Sequence, residues 1–162
     1  MTVPGPFPPF DTWPLQRVDA RYGYAWYLPP TTIVDQIVVE HATVETVQAL
    51  HDDIDALLAR ARVRIEGEGG ALIFGDWRRI RSYTPEARRL FLERVRARPK
   101  TLMRTGVTVL ARVSPILRMA VQAGGMMLAV AGRAKVEVYD DIDEALKAHG
   151  VGPPRGAAAA AR

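Results

Sequence analysis

The sequence predicts an α/β fold: a single mixed, mostly parallel β-sheet with packed helices, in the order β-β-α-β-α-β-α-β-α. Three observations predict it. Short runs rich in β-branched residues alternate with longer stretches whose apolar positions recur every three or four residues. Two helix starts place proline directly after a hydroxyl residue, at Thr84-Pro85 and Ser114-Pro115. Glycine pairs at 69–70 and 124–125 punctuate the chain between these runs. After an opening hairpin, each strand–helix alternation calls for a right-handed crossover and hence parallel pairing.

Taken in order, residues 21–28 are aromatic and end at Pro29-Pro30, which reads as a strand and a turn. Residues 32–40 (TIVDQIVVE) read as the second strand of the hairpin. From 43 to 61 the apolar positions Val44, Val47, Leu50, Ile54, Leu57, Leu58 and Ala61 form one helical stripe. The acids Glu45, Asp52, Asp53 and Asp55 fall mainly between them. Residues 71–75 (ALIFG) suit a buried strand.

Thr84 then caps a helix, with Pro85 at its first position and Glu86 complementing the dipole. Leu90, Phe91 and Val95 supply its buried face, and Arg98-Pro99 ends it. Residues 107–113 are the next strand. Ser114-Pro115 opens a further helix, which Gly124-Gly125 is expected to interrupt or end. Residues 135–139 form the last strand, and a terminal helix begins among the acids Asp140, Asp141, Asp143 and Glu144.

At 162 residues the chain is one domain's worth, long enough to bury a core. Five prolines among residues 1–14 predict an extended arm over 1–15. The folded domain is expected over 16–150, with a flexible Ala-rich tail over 151–162. The absence of cysteine excludes disulfides and thiolate chemistry and suits a reducing cytoplasm, the predicted location. The N-terminus lacks a basic region followed by an apolar run, so no secretory signal is expected. The nearly apolar stretch 119–132 is too short to span a bilayer.

The net charge of +4 is unevenly spread. Residues 77–118 hold 12 Lys or Arg against Glu86 and Glu93, a balance of +10. Residues 35–76 hold 9 acids against Arg60, Arg62 and Arg64, a balance of −6. The basic block fits an anionic partner such as an acidic lipid or protein surface. No nucleic-acid motif accompanies it, and nucleic acid is not an expected partner.

Two stretches resemble the STAS domain, the fold of anti-sigma-factor antagonists and of the cytoplasmic domains of sulfate transporters. The first runs from Leu110-Ala-Arg-Val-Ser-Pro-Ile-Leu-Arg118 through Gly125 to Val138-Tyr-Asp-Asp-Ile-Asp-Glu-Ala-Leu146. It is similar to the family's strand, "Ser-Pro-x-x-Arg" helix start, glycine and closing "Tyr-Asp-x-x-x-Glu-Ala-Leu" helix. The second is the strand 71–76 ending in Asp76, where the family has a strand and a regulatory "Asp-Ser-Ser-Gly" loop. The strand–Asp–Trp–loop–"Pro-Glu-Ala" pattern also resembles a sporulation-antagonist-like branch related to lipid-binding Sec14-like proteins.

The resemblance implies a non-catalytic regulatory binding module acting through protein–protein recognition, in a partner-switching pathway. Its contact surface would be the loop and helix start holding Asp76, Arg78, Arg79, Arg81, Ser82, Thr84, Glu86, Arg88 and Arg89. Thr84-Pro85-Glu86-Ala87 replaces the phospho-acceptor motif, leaving Ser82 and Thr84 as candidate phosphorylation sites within an arginine cluster. The alternative is a carrier of a small apolar ligand or lipid, drawn to acidic membranes, with Met119, Met126, Met127 and Leu128 forming an apolar pocket. Self-association through the hairpin edge is a third reading.

His41, His51 and His149 carry no motif, and His51-Asp52-Asp53 with Asp55 reads as a solvated acidic face. No nucleophile motif or phosphate loop is present. The sequence therefore predicts no enzyme, no metal and no cofactor.

Overall fold

The computed structural model describes residues 4–19, 21–111 and 115–155. In chain order they form β1 (Arg17–Asp19), β2 (Gly23–Leu28), β3 (Thr32–Ile37) and β4 (His41–Ala42), then α1 (Val44–Arg60) and α2 (Arg62–Gly67). Next come β5 (Ala71–Asp76), β6 (Ser82–Tyr83), α3 (Pro85–Ala97), β7 (Met103–Val109), α4 (Pro115–Val130), β8 (Lys135–Tyr139) and α5 (Ile142–His149). One six-stranded sheet has the order β1-β2-β3-β5-β7-β8, and β4 pairs with β6 apart from it. The two hairpin pairings are antiparallel; β3-β5, β5-β7 and β7-β8 are parallel. The fold is thus α/β with one mixed, mostly parallel sheet, as the sequence predicts.

Each parallel strand is added beside the one before it, always in the same direction across the sheet. Right-handed crossovers that keep stepping one way place their helices on one face. Accordingly α1, α3 and α4 share a face with Ile33, Ile37, Ile73 and Leu110. The opposite face, carrying Trp26, Val34, Phe74, Val107 and Val109, is left to α5 and to the start of the chain.

That start is where the domain boundary needs correction. Phe10 and Trp13 are buried against Trp26, with ring centroids 5.5 and 5.6 Å from it. Trp26 Nε1 donates to the Pro14 carbonyl (3.0 Å) and the Tyr24 hydroxyl to that of Pro4 (2.8 Å). Prolines do exclude the segment from the sheet ladder, but its aromatic side chains are core material for a face no crossover helix reaches. The folded unit therefore includes residues 4–14. At the other end, Gly150 takes the left-handed cap of α5 (φ 62°), and Val151 still packs on the core.

Local differences have physical causes. The hairpin gains β1, an edge strand too short to register as a periodic run. β3 ends at Ile37, three residues before the predicted limit. β7 begins at Met103, four residues before the predicted start, because parallel pairing with β5 recruits residues of no marked β propensity. α4 runs through Gly124-Gly125 unbroken. A Cβ on Gly125 would stand 3.0 Å from Val136, so here the glycine serves close packing of helix on strand. Thr84 caps α3 as predicted, accepting from the Ala87 amide at 3.1 Å. Ser114 lies outside the described residues.

Trp13→Ala is expected to cost about 3–5 kcal/mol of stability, the ordinary price of truncating a buried aromatic. Urea unfolding of the full chain measures it; a loss under 1 kcal/mol would return the segment to the status of a loose arm.

Candidate functional site

A cavity of about 110 Å³ lies between the helical layer and the centre of the sheet. Its floor comes from alternate residues of the middle strands: Asp35 and Ile37 of β3, Ile73 and Gly75 of β5, Gly106 and Thr108 of β7. Two glycines in that floor leave room where side chains would otherwise meet the helices. Its walls come from α1 (Val47, Leu50, His51, Ile54), α3 (Ala87, Phe91, Leu92, Val95) and α4 (Ala120, Val121, Gly124, Leu128). Arg88 and Tyr83 stand where the wall meets solvent.

Three buried ionisable side chains, Asp35, His51 and Arg98, break the apolar lining. Asp35 is buried beside Gly75 and accepts from Trp77 Nε1 at 3.1 Å. Gly75 permits this contact, since a Cβ there would fall 2.8 Å from that nitrogen. Burial pushes the Asp35 carboxyl up to about 7; the Trp77 bond opposes this and the nearby Asp76 charge adds to it.

His51 is fully buried on the inner stripe of α1, so its reading as part of a solvated acidic face is corrected. Arg98, only 7 % exposed, donates from one Nη to His51 Nδ1 at 2.7 Å and from Nε to Asp55 at 2.6 Å. A guanidinium can only donate, so Nδ1 accepts and the ring proton sits on Nε2. That Nε2–H has no hydrogen-bond partner among the described residues. Burial, then the Arg98 charge, depresses the His51 pKa to about 3. Burial raises the pKa of Asp55, but its bonds with Arg98 and Arg94 outweigh this and hold it below the usual carboxylate range. Phe91 links the two polar groups: its ring meets His51 and Trp77 edge-to-face, at 5.0 and 5.2 Å between centroids.

The predicted pocket residues divide. Leu128 is buried in the cavity wall, whereas Met119, Met126 and Met127 face solvent and line no part of it. α4 carries only Arg118 and Gln122 as polar side chains, and the methionines fall on its outer side.

The predicted partner loop divides as well. Asp76 is fully buried on the opposite sheet face, gripped by Arg78 Nε and Nη2 at 2.8 Å each and by Gln36 Nε2 at 2.9 Å. Arg78 also donates to the Pro8 carbonyl, and the Arg79 guanidinium lies 4.3 Å from the Phe7 ring centroid. These three residues hold the N-terminal segment. Arg81 pairs loosely with Glu40, Arg89 with Glu93, and the Ser82 hydroxyl meets His41 Nδ1 at 2.8 Å. The Thr84 hydroxyl oxygen is engaged as the helix cap; Glu86 and Arg88 are exposed.

Sequence reasoning passed over Asp35, His51 and Arg98. The signals were an acid inside a β-branched strand and a histidine at three- and four-residue spacing from Val47 and Ile54. Among the described residues, no group of three or more His, Asp or Glu could hold a metal ion. No helix among them is long and apolar enough to cross a membrane. The chain matches no family model, no curated protein and no solved structure.

The two perturbed groups give opposed pH dependences. In the unfolded chain Asp35 ionises near 3.8, so its contribution is complete below that pH and is lost as pH rises to about 7. Unfolded His51 is neutral only above about 6.5, so its contribution is complete there and is lost as pH falls toward 3. Across roughly pH 4–6.5 the slopes offset one another. Asp35→Asn should leave a stability that rises with pH in this window, and His51→Asn one that falls. Urea unfolding at half-unit pH steps reads both, and parallel profiles for the two variants would refute the assignment.

Proposed function

We propose that this domain binds a small, predominantly apolar ligand in the cavity between α1, α3, α4 and the sheet. The observation that carries the reading is the glycine-floored void itself. Protein interiors rarely leave spaces much larger than a water. A space of about 110 Å³ is well beyond what one water needs. An engineered apolar cavity of about 150 Å³ takes up benzene, so this one suits a compact ring or the end of an alkyl chain.

The element order, with the 71–76 and 138–146 stretches, supports a STAS-like domain of the Sec14-related kind, for which such a carrier role is the natural companion. The partner-switching reading draws less support, because Asp76, Arg78 and Arg79 are committed to the N-terminal segment. Exposure of Glu86 and Arg88 at the start of α3 is what remains in its favour.

One further feature favours affinity for acidic membranes. Ile116, Met119, Met126, Met127 and Val130 recur at helical spacing along the outer side of α4, each 46–90 % exposed. Arg88, Arg89 and Arg96 are exposed on α3, which neighbours α4 through Leu92 and Gly124. An apolar stripe beside cations is the pattern of a face that rests on anionic lipid.

Cyclohexane should raise the Tm of the full chain, and Ala120→Leu, which fills the cavity from α4, should abolish that rise without lowering the starting Tm. An equal rise in the variant would remove the cavity from the proposal. Flotation with vesicles should show binding to phosphatidylserine-containing bilayers and about tenfold weaker binding by Met119→Glu/Val130→Glu. Undiminished flotation would dismiss the α4 face.

A further inference from the structure

The cavity is not uniformly apolar, and its polar groups restrict what it accepts. His51 lies in its wall with Nδ1 occupied by Arg98 and a buried Nε2–H that no group among the described residues satisfies. Leaving a buried donor unpaired costs about as much as a hydrogen bond gains, so such groups normally find a partner. The contact with the Phe91 ring is a weak substitute for an oxygen. His51 is itself one of the residues that line the cavity.

Charge narrows the choice further. Asp35 shares the cavity, and Trp77 is its one hydrogen-bond donor among the described residues. A carboxylate ligand would share the cavity with this acid. An ammonium ligand would find Asp35 but also the buried Arg98 guanidinium, and a histidine that has only a donor to offer. A neutral oxygen with free lone pairs meets neither objection.

We propose that the ligand is a neutral, largely apolar molecule bearing one acceptor oxygen, a ketone, ester or ether, which accepts the His51 Nε2–H. The inference rests on the cavity reading above and deepens it by assigning His51 as the group that selects the ligand's polar end. Asp35, held by Trp77, acts beside it to exclude anions.

A matched set of probes tests this on the full chain: cyclohexane, cyclohexanone and cyclohexanecarboxylate, by titration at pH 8. Cyclohexanone should bind, and NMR of histidine-labelled protein should show the His51 Hε2 proton moving downfield with it but not with cyclohexane. His51→Phe should reduce the preference for ketone over hydrocarbon about tenfold. Because that variant also strips Arg98 of a partner, the wild-type NMR shift is the deciding reading should the variant not fold. Cyclohexanone binding with Hε2 unmoved overturns the inference and leaves the cavity reading standing. Tighter binding of the carboxylate overturns it too. Failure of both neutral probes to bind sinks the cavity reading and this inference with it.

Discussion

The structure depends on a directional constraint: the sheet grows one way only. Because β3, β5, β7 and β8 are added in sequence, their crossovers crowd one face and leave the other bare. A bare β face of Trp26, Val34, Phe74 and Val107 cannot be left in water. The chain solves this with α5 at one side and the proline-punctuated start at the other. A helix there would need its own hydrogen bonds; an irregular segment instead borrows them from the sheet. Gln36 supplies both, its amide oxygen accepting from the Phe7 amide and its Nε2 donating to the Phe7 carbonyl, each at 3.0 Å. The Asp76–Arg78 fork, extended to the Pro8 carbonyl, fixes the next turn.

On the crowded face the opposite problem arises, and the cavity is its result. α1 packs directly on β2 and β3, and α4 lies close on β8 through Gly125. α3, whose main neighbour is α1, bridges between them. Beneath that bridge the floor is glycine at 75 and 106, so neither layer closes the gap. The polar residues along it are balanced in kind. Burial raises the Asp35 carboxyl and keeps the imidazole neutral, which limits the uncompensated charge in the interior, while Arg98 is matched by Asp55.

Most of the element order was legible because periodicity and caps are local. Thr84-Pro85-Glu86, the stripe of α1 and the β-branched run of β3 each declare themselves within a dozen residues. What stayed hidden depends on distant partners. The prolines of the first fourteen residues speak against regular structure, and nothing local says that Phe10 and Trp13 will meet Trp26. His51 looks polar beside Asp52 and Asp53 until helical phase is applied to it as strictly as to its apolar neighbours. The methionines of α4 illustrate the reverse error. Composition alone makes them pocket material, but the inner side of that helix is already held by Leu117, Gly124, Gly125 and Leu128.

The two faces are not independent. Successive residues of a strand point to opposite sides, so Asp35 and Gly75 pair beneath the cavity while Gln36 and Asp76, one step on, pair beneath the N-terminal segment. Trp77 follows directly, returning to the cavity side to hold Asp35, and Arg78 turns back to Asp76. Four consecutive residues, 75–78, thereby serve the cavity and the covering segment in alternation. The Asp76 charge also raises the Asp35 carboxyl through the sheet, so the acid gripped by the Arg78 fork acts on both faces. A displacement of Trp77 by a bound ligand would have to be taken up by a backbone that the segment grips on its other side. The N-terminal segment is therefore part of the cavity's support, although its described residues contribute no side chain to the cavity wall.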